Sequence, residues 1–236
     1  MPAFTAATLV EQARLQSDER PGGSSAFISD SEVLGLINQA CEDLYTELLA
    51  ATGGGGQGWF ETSTTFPTVA GTANYALPTT HQQTVQLLIN WSTSEIEPIH
   101  QFEWEEKPRL QTDALSWDRW LTKGFRIIGD DIYIYPTPST VETITHVYIP
   151  EFTWAAIGGS IDLKVSGWQK YVVFSAASEM RAIRELDNSR LEAKQQQSLE
   201  RILTIASDRA VREAAHIVDV CPEGPRGLWY PPGVYD

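Results

Sequence analysis

Residues 124–138 read GFRIIGDDIYIYPTP. Two short apolar runs, 125–128 and 132–135, flank Gly129, Asp130 and Asp131. β-Branched and aromatic residues on either side of a Gly/Asp turn predict a β-hairpin. Outward in both directions, from Trp59 to Trp154, the pattern stays the same: short alternating runs separated by Gly, Pro, Asn and Asp. Further strands are expected at 59–66, 75–77, 84–91, 96–100, 119–121 and 142–149, with 102–108 as a helical turn. Prolines 67, 78, 98, 136, 138 and 150 fall at strand ends or edges, where a missing donor does little harm. The middle of the chain therefore reads as an antiparallel β domain.

On both sides of it the hydrophobic period becomes helical. The N-terminal side opens with a helix over 5–17 and a breaker-rich stretch, 18–25. Ser29 and Glu32 then form a capping box, with Ile28 stapled onto Val33. Val33, Ile37, Ala40, Leu44 and Leu48 follow at steps of three and four, and Gly53 ends the helix. On the C-terminal side, from Ser166, Val173, Ala176, Met180 and Ile183 line one face, and the apolar run 171–174 predicts contact on more than one side. Asp187 and Asn188 interrupt this helix. Ser189 and Glu192 read as a second capping box, opening a helix with Leu191, Leu199, Ile202, Ala206 and Ala210 on one face, so the pair should form an antiparallel hairpin. The expected fold class is α+β. A helical bundle formed by N- and C-terminal helices (1–56 and 162–216) carries an inserted antiparallel β domain (57–161) and an extended C-terminal arm (217–236).

The 236 residues carry 31 acids against 17 bases, a net charge of -14. Residues 1–161 hold 20 acids and 7 bases, or -13, whereas 162–226 hold 10 of each. Non-specific nucleic-acid binding depends on Lys and Arg displacing phosphate counterions, so this composition argues against it. Cys41 and Cys221 are too far apart for a paired-ligand spacing and read as reduced thiols of a protein made in the cytoplasm. The first residues show neither a secretory leader nor a membrane span.

Chemistry-bearing motifs are weak. Gly53, Gly55 and Gly58 spell G-x-G-x-x-G, but after a helix and before a strand, the reverse of a phosphate cradle, so they read as a linker. His81, His100, His146 and His216 are isolated and read as ordinary surface or hydrogen-bonded histidines. Glu103, Glu105 and Glu106 around Trp104, and the Asp130–Asp131 pair, are the carboxylate clusters that glycoside hydrolysis would need. Neither is specific. The eight tryptophans could stack on sugars, but core or subunit-interface packing is their commoner use. No catalytic, cofactor-binding or metal-binding residue is assigned, and the protein is not expected to be an enzyme.

The tail resists a bland reading. Between residues 217 and 236 lie Ile217, Val218, Val220, Leu228, Trp229, Tyr230, Val234 and Tyr235, with prolines between them. Solvated disordered tails are poor in aromatics. Prolines reduce the entropy lost on docking, and Trp and Tyr are typical interface anchors. The segment reads as an arm that docks on a partner, with packing on its own domain as the alternative.

In their order, several of these motifs resemble the head-to-tail adaptor (connector) proteins of tailed bacteriophages. The resemblance rests on FISDSEVLGLIN (27–38) and the helix through Tyr45, on YALP (75–78), on the hairpin 125–138 with its Pro-x-Pro ending, on VYIP (147–150), on GWQKYVVF (167–174) and on the helix over 192–202. It covers about residues 27–215 and implies a structural virion protein at the head-tail junction. About twelve copies would form a ring beneath the portal protein with a tail or nozzle component below. The arm would dock on the portal through Ile217, Val220, Leu228, Trp229, Tyr230 and Tyr235. DNA would pass through the channel without specific binding. Acids on the channel wall would repel its backbone within a Debye length of roughly 8 to 10 Å. The resemblance implies no cofactor. The alternative is a carbohydrate-active virion protein, peptidoglycan-binding or -hydrolysing, using the acidic clusters and tryptophans.

Overall fold

A computed structural model describes residues 4–18, 27–52, 59–92, 95–107 and 123–213, with side chains described as far as 207. The expected strand at 119–121, the glycines at 53, 55 and 58 and the whole arm lie outside the described residues. The described chain is α+β, with four helices and a curled, mostly antiparallel sheet.

Helix α1 (Ala6–Gln16) starts where Thr5 accepts a hydrogen bond from the Thr8 amide, and stops at Ser17. Helix α2 (Asp30–Ala51) starts at the expected capping box. The Ser29 amide donates to Glu32 Oε2 at 2.7 Å and the Glu32 amide to Ser29 Oγ at 3.3 Å. The Ser29 hydroxyl, donating to Glu32 Oε2 at 2.7 Å, and then the Ser29 amide hold the Glu32 carboxyl below its usual range. Thr52 is the last described residue of this end and caps the helix, its hydroxyl donating to the Leu48 carbonyl. Helix α3 (Trp168–Ile183) follows Gly167, whose φ of 88° is one an L side chain rarely adopts.

Helix α4 (Ser189–Glu213) departs from the expected start. Ser189 is a helical residue, and the Asn188 carbonyl accepts from the Leu191 and Glu192 amides. The Asp187 carboxylate takes both the Ser189 amide (3.1 Å) and hydroxyl (3.2 Å). The serine is thus a donor to a stronger acceptor two residues back, not a cap of the Glu192 turn. Helices α3 and α4 are antiparallel: Asn188 reaches Ser178 at one end, and Gln195 reaches Ser175 further along.

Helices from both ends of the chain share one core. Leu9, Ile37, Leu44, Leu48, Trp168, Val172, Met180 and Ile202 are buried in a single cluster. Fully burying each such side chain is worth about 1.5–3 kcal/mol. Arg14 is also buried there, donating to the Ile28 carbonyl at 2.7 Å and to Asp30. A two-stranded antiparallel ladder of β1 (Phe4–Thr5) and β9 (Ser160–Ile161) ties the N-terminal segment to the chain just before α3.

The seven-stranded sheet comprises β2 (Thr62–Pro67), β3 (Asn74–Ala76), β4 (His81–Asn90), β5 (Ile96–Gln101), β6 (Gly124–Ile128), β7 (Asp131–Tyr135) and β8 (Thr143–Pro150), in the order β2-β8-β4-β5-β6-β7-β3. The β6–β7 hairpin closes over Gly129 and Asp130. With φ of 60° at Gly129, the turn has the primed geometry that matches strand twist. One pair departs from the expected antiparallel pattern: β5 and β6 run parallel. The 22 residues between them exceed the dozen or so that a parallel crossover needs. Leu87, Ile89, Ile99, Phe125, Ile132, Ile134 and Ile144 form a second core on the sheet's inner face. Strand β8 serves both cores, with Ile144 in the sheet cluster and Ile149 in the helical one.

Candidate functional site

An apolar concavity lies along the exposed side of α2. It begins with Asn38, which is buried on α2 and holds the chain after β8 through a paired contact: Nδ2 donates to the Ala155 carbonyl and Oδ1 accepts the Ala155 amide, both at 3.0 Å. One turn on, Glu42 Oε2 accepts the Trp154 indole N–H at 2.8 Å. The two bonds stand the Trp154 ring beside α2 and make it one wall of a groove. Phe27, Ile28, Leu36, Gln39 and Ile183 supply the rest, giving a volume of about 580 Å³. Phe27 is 70% exposed, Trp154 56% and Ile183 51%. A Cβ on Gly35, in the floor, would meet nothing within 4 Å. The charged lining residue is Glu32, with Glu42 close behind Trp154. Asn38→Ala is expected to cost about 2 kcal/mol by urea denaturation, since it removes two partly buried hydrogen bonds and leaves the Ala155 backbone without those partners. Loss below about 0.5 kcal/mol would mean that the loop is held by other contacts.

Sequence reasoning missed this groove. Leu36 lies off the apolar stripe that faces the core, and Phe27 precedes the helix cap. Leu36 beside Gly35, with a phenylalanine two residues before the cap, was the available signal.

The sheet carries two further clusters. On the face away from its core, Phe102, Trp104, Tyr133 and Tyr135 contact one another. The Lys107 ammonium sits 4.9 Å from the Trp104 ring, 5.1 Å from Tyr135 and 5.6 Å from Tyr133. Trp104 thus packs around a cation from its own chain. Of the expected carboxylate cluster, Glu103 pairs with Arg126 at 2.8 Å, and Glu106 caps the Glu103 amide. Asp130 and Asp131 belong to the hairpin turn, where the Asp130 carbonyl accepts the Leu77 amide.

His81 and His146, remote in sequence, are brought together. Two β-bulges in β4 bracket its approach to β8, and Thr84 Oγ1 lies 2.9 Å from Nε2 of each histidine. His146 is fully buried, stacked on Tyr148 at 5.0 Å, and its Nδ1 has no partner. Orphaned N–H groups are rarer than orphaned acceptors. That assigns a chain in which His146 Nε2–H donates to Thr84 and the Thr84 hydroxyl donates to His81. Burial, with the charge of His81 adding to it, pushes the His146 pKa down to about 4. His81 is lowered too, burial outweighing its backbone bond and the charge of Glu151.

Cys41 is a buried free thiol, and burial pushes its pKa up to about 12. Among the described residues no group of three or more His, Cys, Asp or Glu is placed to hold a metal ion. None of the described helices is long and apolar enough to cross a membrane. Ile217, Val220, Leu228, Trp229, Tyr230 and Tyr235 lie outside the described residues, as does Cys221.

The family model described as SU10 adaptor protein matches residues 4–219. The chain belongs to that family. SU10 adaptor proteins are a family of phage head-tail adaptors, the class that the sequence motifs resemble. No curated protein matches the chain. The match reaches from β1 through all four helices and into the arm, so the adaptor family accounts for the helical core and the sheet together. In a structural adaptor the working parts are faces that meet other proteins. The α2 groove is an apolar concavity of about 580 Å³ open to solvent.

Proposed function

We propose that this adaptor forms a ring beneath the portal of a tailed phage, joins the head to a tail or nozzle component, and lines the channel through which DNA leaves. The observation that carries this reading is the family match over residues 4–219. A ring requires head-to-tail contacts that close on themselves, and the resemblance to head-tail adaptors suggests about twelve copies. In this reading, residues 1–56 and 162–216 act as one helical unit, 57–161 as the inserted β unit, and 217–236 as the arm that engages the portal through Ile217, Val220, Leu228, Trp229, Tyr230 and Tyr235. The net charge of -13 on residues 1–161 supports a channel wall that DNA crosses without being held, because acids facing the lumen repel phosphates. The working place is the virion, and the work is structural.

Co-expression with the portal protein of the same phage tests this. The full chain is expected to co-purify with portal, to appear as a ring by electron microscopy, and to lose co-purification when residues 217–236 are deleted. A full chain that stays monomeric and never co-purifies with portal would remove the reading.

A further inference from the structure

The α2 groove leaves Phe27, Trp154 and Ile183 half or more exposed, a clustered apolar face of the kind that marks a docking site. The chain beyond α4 supplies an occupant of matching chemistry. The arm holds Asp219, Glu223 and Asp236 against the single base Arg226, and that base stands directly before its densest aromatic stretch, Leu228, Trp229 and Tyr230. The charged residue lining the groove is Glu32, and Glu42 backs its Trp154 wall. Within the net-acidic arm, the stretch 226–230 alone pairs a base with aromatic side chains, and it therefore matches an apolar slot with carboxylates at its edge. We propose that, before assembly, residues 226–230 of this chain dock in its own α2 groove. The proposal rests on the arm being the portal-binding element, and makes the groove its resting place.

The distances allow it. Ile183, in the groove, precedes the turn into α4, while the arm starts at the opposite end of that helix. The 25 residues of α4 span about 37 Å. The 15 residues from Glu213 to Leu228 reach up to about 50 Å when extended. The groove and its occupant are then tethered, at an effective concentration on the order of millimolar, so a modest contact suffices. Portal contacts made by the same anchors would release them, and the groove would be vacated as the subunit joins its partner.

Gly35 makes this testable without damage to the core. Gly35→Leu places a side chain in open space on the groove floor, and replacing a helical glycine favours the helix. Trypsin cleavage after Arg226 in the full-length folded protein, followed by mass spectrometry, reads how often the arm is free. Cleavage that outlasts many openings tracks the open population, so Gly35→Leu should be cut at least about tenfold faster than wild type. Gly35→Ala, too small to fill the slot, should match wild type, and the wild-type rate should not change on dilution. Equal rates for wild type and Gly35→Leu overturn the proposal. Protection that vanishes on dilution also overturns it, because the occupant is then another copy's arm. Portal co-purification separates this from the portal reading: a chain that never binds portal removes that reading and leaves the tryptic comparison standing.

Discussion

Trp168→Ala is expected to lower unfolding free energy by about 4 kcal/mol, which for a chain of this size lowers the melting temperature by about 10 °C. Trp168 is the first residue of α3 and is essentially inaccessible to water. Its ring meets Phe4 edge-on at 6.0 Å, so it joins the N-terminal segment to the helix after the β region. Alanine removes the transfer free energy of an indole and leaves a cavity where α1, α2 and α3 converge. Trp168→Phe should cost about 1–2 kcal/mol, since much of the apolar volume stays. Urea denaturation followed by far-ultraviolet circular dichroism measures both. A loss under about 1 kcal/mol for the alanine variant would show that the two ends of the chain are not joined through this residue.

The second large effect is a loss of stability in acid. His146 has a folded-state pKa of about 4 against an ordinary 6.5, because its buried ring is held neutral. The unfolded chain therefore binds this proton more readily than the folded one. Its stabilising effect is complete above about pH 6.5, falls between 6.5 and 4, and is gone below; the span corresponds to about 3 kcal/mol. His81, depressed in the same direction, adds a loss of the same sign as the pH falls below about 6.5. Thr84→Val combined with His146→Phe removes the titrating ring together with the hydroxyl that would lose its partner. Between pH 7 and pH 4 the wild type should lose about 3 kcal/mol more than this double variant. Parallel losses would mean that His146 is not buried as a neutral ring.

How much was legible in the sequence follows the range of the forces involved. The start of α2 was readable because Ser29 and Glu32 satisfy each other within one turn. The 124–138 hairpin was readable because a glycine at positive φ reverses the chain between runs whose side chains alternate. Even local rules failed where a competitor stood nearby: Asp187 captured Ser189 and displaced the expected capping box. The parallel β5–β6 pair was not legible, because strand direction depends on the path of the crossover and not on the composition of either strand.

The functional faces divide in the same way. The sequence alone determined the acidity, the helical zones towards both ends with strands between them, and the aromatic content of residues 217–236, because charge count, hydrophobic period and residue type are properties of the chain itself. Only the tertiary structure decided that β8 joins two cores, that His81 and His146 share one threonine, and that Asn38 and Glu42 hold Trp154 beside Leu36 to open a groove. Each of those contacts joins residues far apart in sequence. Its free energy is realised only after the loop between them has been closed, so no local pattern encodes it.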